Sequence, residues 1–210
     1  MRADEENSTL TQVAWDALVV IVNQANAVSN VSSEKLKKIY LGEITNWKEL
    51  GGHDAPINLI DRESKESGAG HMFRVLLFKD PNVEFPALDG KPKKEKGTET
   101  IEELVEQDPN ALAVDGVSAA RKRNVKLLAL DGVEPSKANI GNGQYSLFRP
   151  LYIVTDINAP AGEARRFVDF ALSIEGQKII SNAGTVNLAE GSALNGLWAA
   201  KSKELGIRVQ

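Results

Sequence analysis

The run "ALVVIVN" at residues 17–23 constrains the fold most, because six of its seven residues are apolar and four are β-branched. Such a strand is apolar on both faces, which is typical of a parallel sheet covered by helices. Further short strand patterns are "INLID" at 57–61, "ALAV" at 111–114, "VKLLAL" at 125–130 and "RPLYIVTD" at 149–156. Because helical patterns alternate with these runs, we predict an α/β protein with mostly parallel sheets.

Two helix starts carry specific capping signals. "SSEKLKKIYLG" at 32–42 has a capping serine, apolar residues at helical spacing and a terminal glycine. "TETIEELVEQDP" at 98–109 has Thr100 and Glu103 at the spacing of a capping box. The charged segment 79–97 between the two helices is rich in Pro, Gly and Lys, which predicts a solvated surface loop.

The stretch "DRESKESGAGHMF" at 61–73 places small residues where a strand gives way to a helix. In α/β folds, ligands bind at such edges, and the start of a helix offers unpaired N–H groups to an anion. Ser67 could cap the helix or donate its hydroxyl, Gly68, Ala69 and Gly70 would expose N–H groups, and Arg62 could supply a bidentate fork. The plainer alternative is that Ser67 is only an N-cap and Gly68 only permits a turn.

Composition excludes several other functions. The chain has 210 residues, no Cys and two His, so a zinc site or a thiol nucleophile is not expected. The formal net charge is −4, without the basic cluster that a nucleic-acid surface needs. No run of apolar residues is long enough to span a membrane, and "MRADEENSTL" lacks the apolar core of a signal peptide, which is the pattern of a mature or trimmed chain.

Other conspicuous residues have structural explanations. His53 and His71 have no acid–base partner nearby in the sequence, so surface or capping roles are expected, and no catalytic residue can be named. Asp115 and Asp131 each precede glycine, as turn residues do. The tryptophans are expected to be core or interface anchors, and they are Trp15, Trp47 and Trp198.

Three segments together resemble the phosphate-binding proteins of ABC importers. Residues 16–64 resemble the family pattern D-G, a hydrophobic run and V-N, followed further on by G-x-I-T-N-W and G-G. Residues 132–156, "GVEPSKANIGNGQYSLFRPLYIVTD", are similar to a second family segment, and residues 167–188 to its final helices. The residues in register in the first segment are Ile39, Tyr40, Gly42, Ile44, Thr45, Asn46, Trp47, Gly51 and Gly52.

The resemblance covers about residues 12 to 190 and implies the two-lobed periplasmic-binding-protein-like fold of type II, with a two-strand hinge. Residues 1–22 and 147–210 would form what is present of lobe 1, and residues 23–146 would form lobe 2. Members of this family hold phosphate between lobes that close around it. The resemblance therefore implies a binding protein, without metal or cofactor, rather than an enzyme.

The family's R-x-x-x-S-G-T loop falls on Arg62, Ser67 and Gly68, the same place as the anion site expected from the residues alone. Four departures stand out. Arg62 lies five residues before Ser67 instead of four, Ala69 replaces the family's Thr, Gly70 replaces an Arg of many short members, and Glu66 replaces a Gly. A carboxylate near a divalent anion opposes its binding.

Family members also carry more of lobe 1 before the equivalent of "ALVVIVN", including a second phosphate loop. Residues 1–16 do not correspond to it. We therefore expect a fragment, one piece of a split protein, or a reduced relative whose first lobe is completed otherwise, by a homo-oligomer or a partner chain.

The resemblance implies a solute-binding protein that takes phosphate or a similar oxyanion and delivers it to the membrane subunits of an ABC importer. Its location would be periplasmic, or extracellular and membrane-anchored. The alternative is a degenerate domain that has lost the ligand and serves as a protein-interaction or sensory module. Ala69, Gly70, Glu66 and the unmatched first loop favour that alternative.

Overall fold

The computed structural model describes residues 8–61, 67–86, 100–157 and 162–207. Its central element is β1 (Ser8–Asn23), a strand much longer than the seven-residue apolar run. The polar residues before that run extend the strand because they pair with a second long strand, β7 (Phe148–Asp156). Pairing partners distant in sequence therefore set the start of β1, which its local composition does not reveal.

β1 takes part in two sheets. Its first part pairs antiparallel with β7, and its last residues pair antiparallel with β4 (Ala111–Gly116) and β5 (Val125–Leu127). β3 (Asn58–Leu59) adds to β4 in parallel, and β2 (Asn30–Val31) pairs in parallel with β6 (Ala129–Leu130). The sheets are thus mixed: the predicted parallel pairs occur, but β1 is antiparallel to all three of its partners. The apolar composition of β1 correctly indicated a strand that helices cover on both faces. That composition does not distinguish a parallel strand from an antiparallel one.

The helices follow the predicted order. Ser32 caps α1 by accepting a bond from the Lys35 N–H, and Thr100 and Glu103 form the predicted capping box of α3. The helices are α1 (Ser33–Tyr40), a 3₁₀ turn (Trp47–Leu50), α2 (Gly68–Phe73) continued by a π-helical turn (Arg74–Phe78), α3 (Ile101–Gln107), α4 (Val117–Ala120), α5 (Lys137–Gly141), α6 (Glu163–Leu172), α7 (Ile174–Asn182) and α8 (Leu194–Glu204). Among the described residues, no helix is both long and apolar enough to cross a bilayer.

The two sheets that share β1 pack against one hydrophobic core. All three tryptophans are buried in it, as predicted. Phe85 is also buried, against the rings of Tyr40 and Phe73, with centroids 4.6 and 6.1 Å away. This corrects the expectation that the segment after α2 is solvated throughout, because its one large apolar residue near the start turns inward. Residues 87–99 of that segment lie outside the described ranges.

The end of the chain is less buried than its apolar pattern predicts. β7 contains the apolar run "LYIV", yet the side chains of Tyr152 and Val154 are exposed. Phe167 in α6 is 60% exposed, although it is one of several apolar residues at helical spacing in that helix. Within the described part of the chain, β7 forms a ladder with β1 alone.

Candidate functional site

The candidate site lies where two parallel strands end. β3 leads into the segment before α2, and β4 leads directly into α4. Because β3 and β4 are parallel, their carboxyl ends share one edge of the sheet, and the two helices begin there. β1 and β7 run past the same edge, since Leu18 is opposite Gly116 and Ala17 is opposite Phe148.

Ser67 is the N-cap of α2, as the plainer alternative predicted. Its hydroxyl accepts a bond from the Gly70 N–H at 3.4 Å, and its carbonyl accepts one from the His71 N–H at 2.8 Å. A serine hydroxyl can accept one hydrogen bond and donate another, so capping is compatible with binding an anion. Gly68 is exposed, and no described atom lies within 4 Å of the place where its Cβ would be. A ligand can therefore approach the backbone at Gly68.

Gly70 has a different position from the one expected. It is buried, its N–H faces the Ser67 hydroxyl, and its carbonyl accepts a bond from Nη1 of Arg74 at 3.2 Å. Arg74 also pairs with Asp61 at 3.3 Å and lies 4.1 Å from the centre of the Phe85 ring. These contacts hold the buried side of α2 in place. Gly70 lies on that side, so it stabilises the helix start and does not face a ligand.

The predicted site is described only in part. Ser67, Gly68 and Ala69 lie together at the start of α2. Arg62 and Glu66 fall outside the described residues, so the predicted guanidinium fork and the opposing carboxylate remain predictions from the sequence.

A pair of charged residues that the sequence analysis did not single out stands beside this helix start. Arg149 of β7 donates from Nε and Nη2 to Oδ2 of Asp16 in β1, at 3.2 and 3.0 Å. Its Nη1 donates to the carbonyl of Gly68 at 2.9 Å. Both residues lie in segments that carry the family resemblance: Asp16 is the D of the D-G pattern, and Arg149 is the first residue of "RPLY". This position was the only signal in the sequence that pointed to the pair.

Asp115 corrects a sequence-based expectation. It was expected to be a turn residue before Gly116, but it lies inside β4, opposite Val19, and is 2% exposed. Asp131 does occupy a turn, with a φ of 53°, followed by Gly132 at 80°. The two Asp-Gly dipeptides differ because Asp115 and Gly116 pair with β1. The dipeptide alone cannot indicate such a pairing with a distant strand.

The histidines and the acidic residues are candidate metal ligands. His53 and His71 are exposed, in line with the surface roles expected for them. Across those same ranges, no three His, Cys, Asp or Glu side chains are grouped closely enough to hold a metal ion. The chemistry that the site offers is hydrogen bonding and charge.

Comparison with known proteins identifies the family. The model of the PBP superfamily domain matches residues 2–175. The phosphate-binding protein PstS of Borreliella burgdorferi is 31% identical over 190 residues, which is 88% of this chain and 67% of that protein. PstS of Bacillus subtilis is 32% identical over 184 residues, covering 85% of this chain and 57% of the relative. The chain thus spans between about half and two thirds of the length of these relatives.

A solved structure agrees in fold. A putative phosphate ABC transporter substrate-binding protein from Clostridium perfringens, with bound phosphate, superimposes with a TM-score of 0.77. It is 28% identical, and the match covers 89% of this chain and 75% of that one. The predicted α/β fold of the periplasmic-binding-protein type II is confirmed. The chain therefore belongs to the PBP superfamily, and within it to the family of the phosphate-binding protein PstS.

Proposed function

We propose that this chain is a large part of a solute-binding protein that holds phosphate, or a similar tetrahedral oxyanion, for an ABC importer. It binds and releases its ligand and performs no chemical step. Arg62, Ser67, Gly68 and Ala69 are the proposed contacts, with charge-assisted bonds from the guanidinium and the N–H groups.

One observation carries this proposal. The Clostridium perfringens protein that matches 89% of this chain contains bound phosphate. The start of α2, where the family resemblance puts a phosphate loop, is exposed and open at Gly68. Ala69 and Gly70 remove two side-chain donors that the family usually has, so backbone N–H groups and Arg62 must supply more of the binding energy.

The proposed lobes follow the division of β1. Residues 1–22 and 147–210 are assigned to lobe 1, and residues 23–146 to lobe 2. The pairing supports this assignment, because β1 pairs with β7 up to Ala17 and with β4 and β5 from Leu18 onward. β1 and β7 would then be the two hinge strands, and closure of the lobes on the ligand would signal the membrane subunits of the importer. Such a protein acts in the periplasm, or outside the cell on a membrane anchor.

The thermal midpoint of the chain tests the proposal. A ligand that binds only the folded state stabilises it by about 2.7 kcal/mol at a hundred times its Kd. We expect millimolar phosphate to raise the midpoint and equimolar sulfate, at matched ionic strength, to leave it unchanged. No shift with either anion would contradict phosphate binding by this chain and favour the degenerate interaction module.

The exposed apolar face at the end of the chain supports a second proposal, that another polypeptide completes lobe 1. Phe167 and Phe170 are spaced to lie on one side of α6, Ile174 begins α7 after the break at Ser173, and the three are 60%, 46% and 92% exposed. Tyr152 and Val154 of β7 are exposed as well. An apolar surface beside a strand edge that is unpaired in the described structure is typical of an interface.

Light scattering and binding of a hydrophobic dye test this second proposal together. A second copy on the face predicts a dimer, and an uncovered face predicts dye binding. Phe167→Glu should abolish the dimer if a second copy covers the face, and the dye binding if the face is uncovered. Lys122→Glu, at an exposed position after α4, should leave it unchanged. A monomer that binds no dye would contradict the proposed interface.

A further inference from the structure

Arg149 joins three segments that are far apart in the sequence. It lies in β7, pairs with Asp16 in β1, and donates to the Gly68 carbonyl at the start of α2. The guanidinium has five N–H donors in a rigid planar fork, so it can bond two acceptors in different directions at once. Here Nε and Nη2 face the carboxylate, and Nη1 faces the carbonyl at 2.9 Å.

The ion pair is largely buried, with side chains 14% exposed for Arg149 and 5% for Asp16. The second carboxylate oxygen, Oδ1 of Asp16, is buried and has no hydrogen-bond partner in the part of the chain that the structure describes. A buried ion pair often stabilises a protein no more than an apolar pair of the same size would. Stability alone therefore gives a weak reason for a charged pair at this place.

The surrounding backbone makes room for the pair. Asp16 and Arg149 are directly opposite each other in the β1–β7 register. A Cβ on Gly116, at the end of β4, would lie 3.2 Å from Oδ2 of Asp16. The absence of a side chain at Gly116 therefore lets the carboxylate lie against the edge where β4 ends, and the carboxylate in turn orients the guanidinium toward α2.

The contact with Gly68 acts on the peptide that follows it. A peptide unit is planar and trans, so the Gly68 carbonyl and the Ala69 N–H are parts of one rigid plane and point in opposite directions. A donor fixed on the carbonyl restricts the direction of that N–H. Gly68 and Ala69 are the first residues of α2, where the helix supplies no acceptor for the N–H groups, and glycine loses more freedom on ordering than any other residue, so the bond from Arg149 adds to the restraint from the helix.

We propose that Arg149, oriented by Asp16, is a positioning residue that fixes the Gly68–Ala69 peptide for binding of the oxyanion. This inference rests on the proposed function for the identity of the ligand, while the restraint on the backbone exists without ligand. It also connects both proposed hinge strands directly to the binding segment, since Asp16 and Arg149 belong to one strand each.

Hydrogen exchange of the ligand-free protein tests the restraint. In Arg149→Met we expect the amides of Gly70 and His71, which bond Ser67, to exchange about tenfold faster, the loss of one hydrogen bond to a charged group. Arg149→Lys keeps the charge without the fork, and Asp16→Asn keeps the shape without the charge, so both should give smaller changes at the same amides. Arg121→Met is the matched control, because Arg121 bonds the carbonyls of Gly184 and Pro135 and no residue of α2.

Calorimetric titration with inorganic phosphate adds the functional readout. We expect the Kd to rise about tenfold in Arg149→Met and to stay unchanged in Arg121→Met. Exchange at Gly70 and His71 that matches the Arg121→Met control, or that rises equally over the whole chain, would overturn the inference. If exchange changes locally but the unsubstituted chain binds no phosphate, the positioning role stands and the proposed function fails.

Discussion

At the scale of single residues, the candidate site combines local and distant contacts. The capping role of Ser67 is local, because its partner Gly70 is three residues away, and the sequence predicts it. The bond from Arg149 to Gly68 joins residues 81 positions apart. No periodicity or spacing rule connects two such positions. The sequence assigns both residues to family segments, but it does not predict that they are in contact.

Lys201 gives a prediction about pH. Its ammonium contacts the Ser146 carbonyl and lies 4.5 Å from the centre of the Phe148 ring. Burial lowers the pKa of Lys201 from its ordinary 10.5 to about 8. Between these values the unfolded chain holds more protons than the folded one, so the free energy of unfolding rises with pH. Because Lys201 keeps partial contact with water, we expect a fraction of the ~1.4 kcal/mol per pH unit that one full proton gives.

Denaturant unfolding between pH 7 and 10 measures this effect. Lys201→Met should flatten the rise between pH 8 and 10 and stabilise the protein at pH 7. Lys203→Met, at an exposed lysine of the same helix, should keep the slope of the unsubstituted protein. Parallel pH profiles for the two variants would contradict the burial of a charged Lys201.

At the scale of elements, local signals gave the starts of helices and missed the extent of strands. The caps at Ser32 and Thr100 form as predicted, because each depends on residues within one turn. β1 begins at Ser8, well before its apolar run, because its pairing with β7 is a long-range property. "VKLLAL" divides into β5 and β6 at Leu128, whose N–H bonds the Val20 carbonyl instead of continuing one ladder.

The turn before α8 offers a test of packing. Gly191 is buried, and a Cβ there would lie 2.4 Å from Cδ1 of Trp15, whose ring is fully buried. Because this ring cannot move aside freely, Gly191→Ala should lower the free energy of unfolding by about 1–3 kcal/mol. Gly196 in α8 has no described atom within 4 Å of its Cβ position, so Gly196→Ala should instead stabilise by roughly 0.5–1 kcal/mol.

Chemical denaturation of the two alanine variants checks this pair. If Gly191→Ala is as stable as Gly196→Ala, the contact between the turn and Trp15 is looser than the structure shows.

At the scale of the whole molecule, the proposed division places both hinge strands, lobe 2 and part of lobe 1 within this chain. The proposed hinge strands, β1 and β7, span Ser8–Asn23 and Phe148–Asp156 in the described part of the chain. The relatives are longer, since the match covers 67% and 57% of the two PstS proteins. The exposed residues of β7 and α6 form the surface at which we propose that another polypeptide completes lobe 1, and their apolar pattern does not produce burial within the described structure.

The proposed function requires that this chain bind phosphate through the segment 62–69. Calorimetric titration of the unsubstituted chain and of Arg62→Ala with phosphate, and with sulfate as control, measures this directly. We predict saturable one-site binding of phosphate that Arg62→Ala weakens by about 1.5–3 kcal/mol, the contribution of hydrogen bonds to a charged group. Absence of binding by the unsubstituted chain, or equal affinity in Arg62→Ala, would contradict the proposed site.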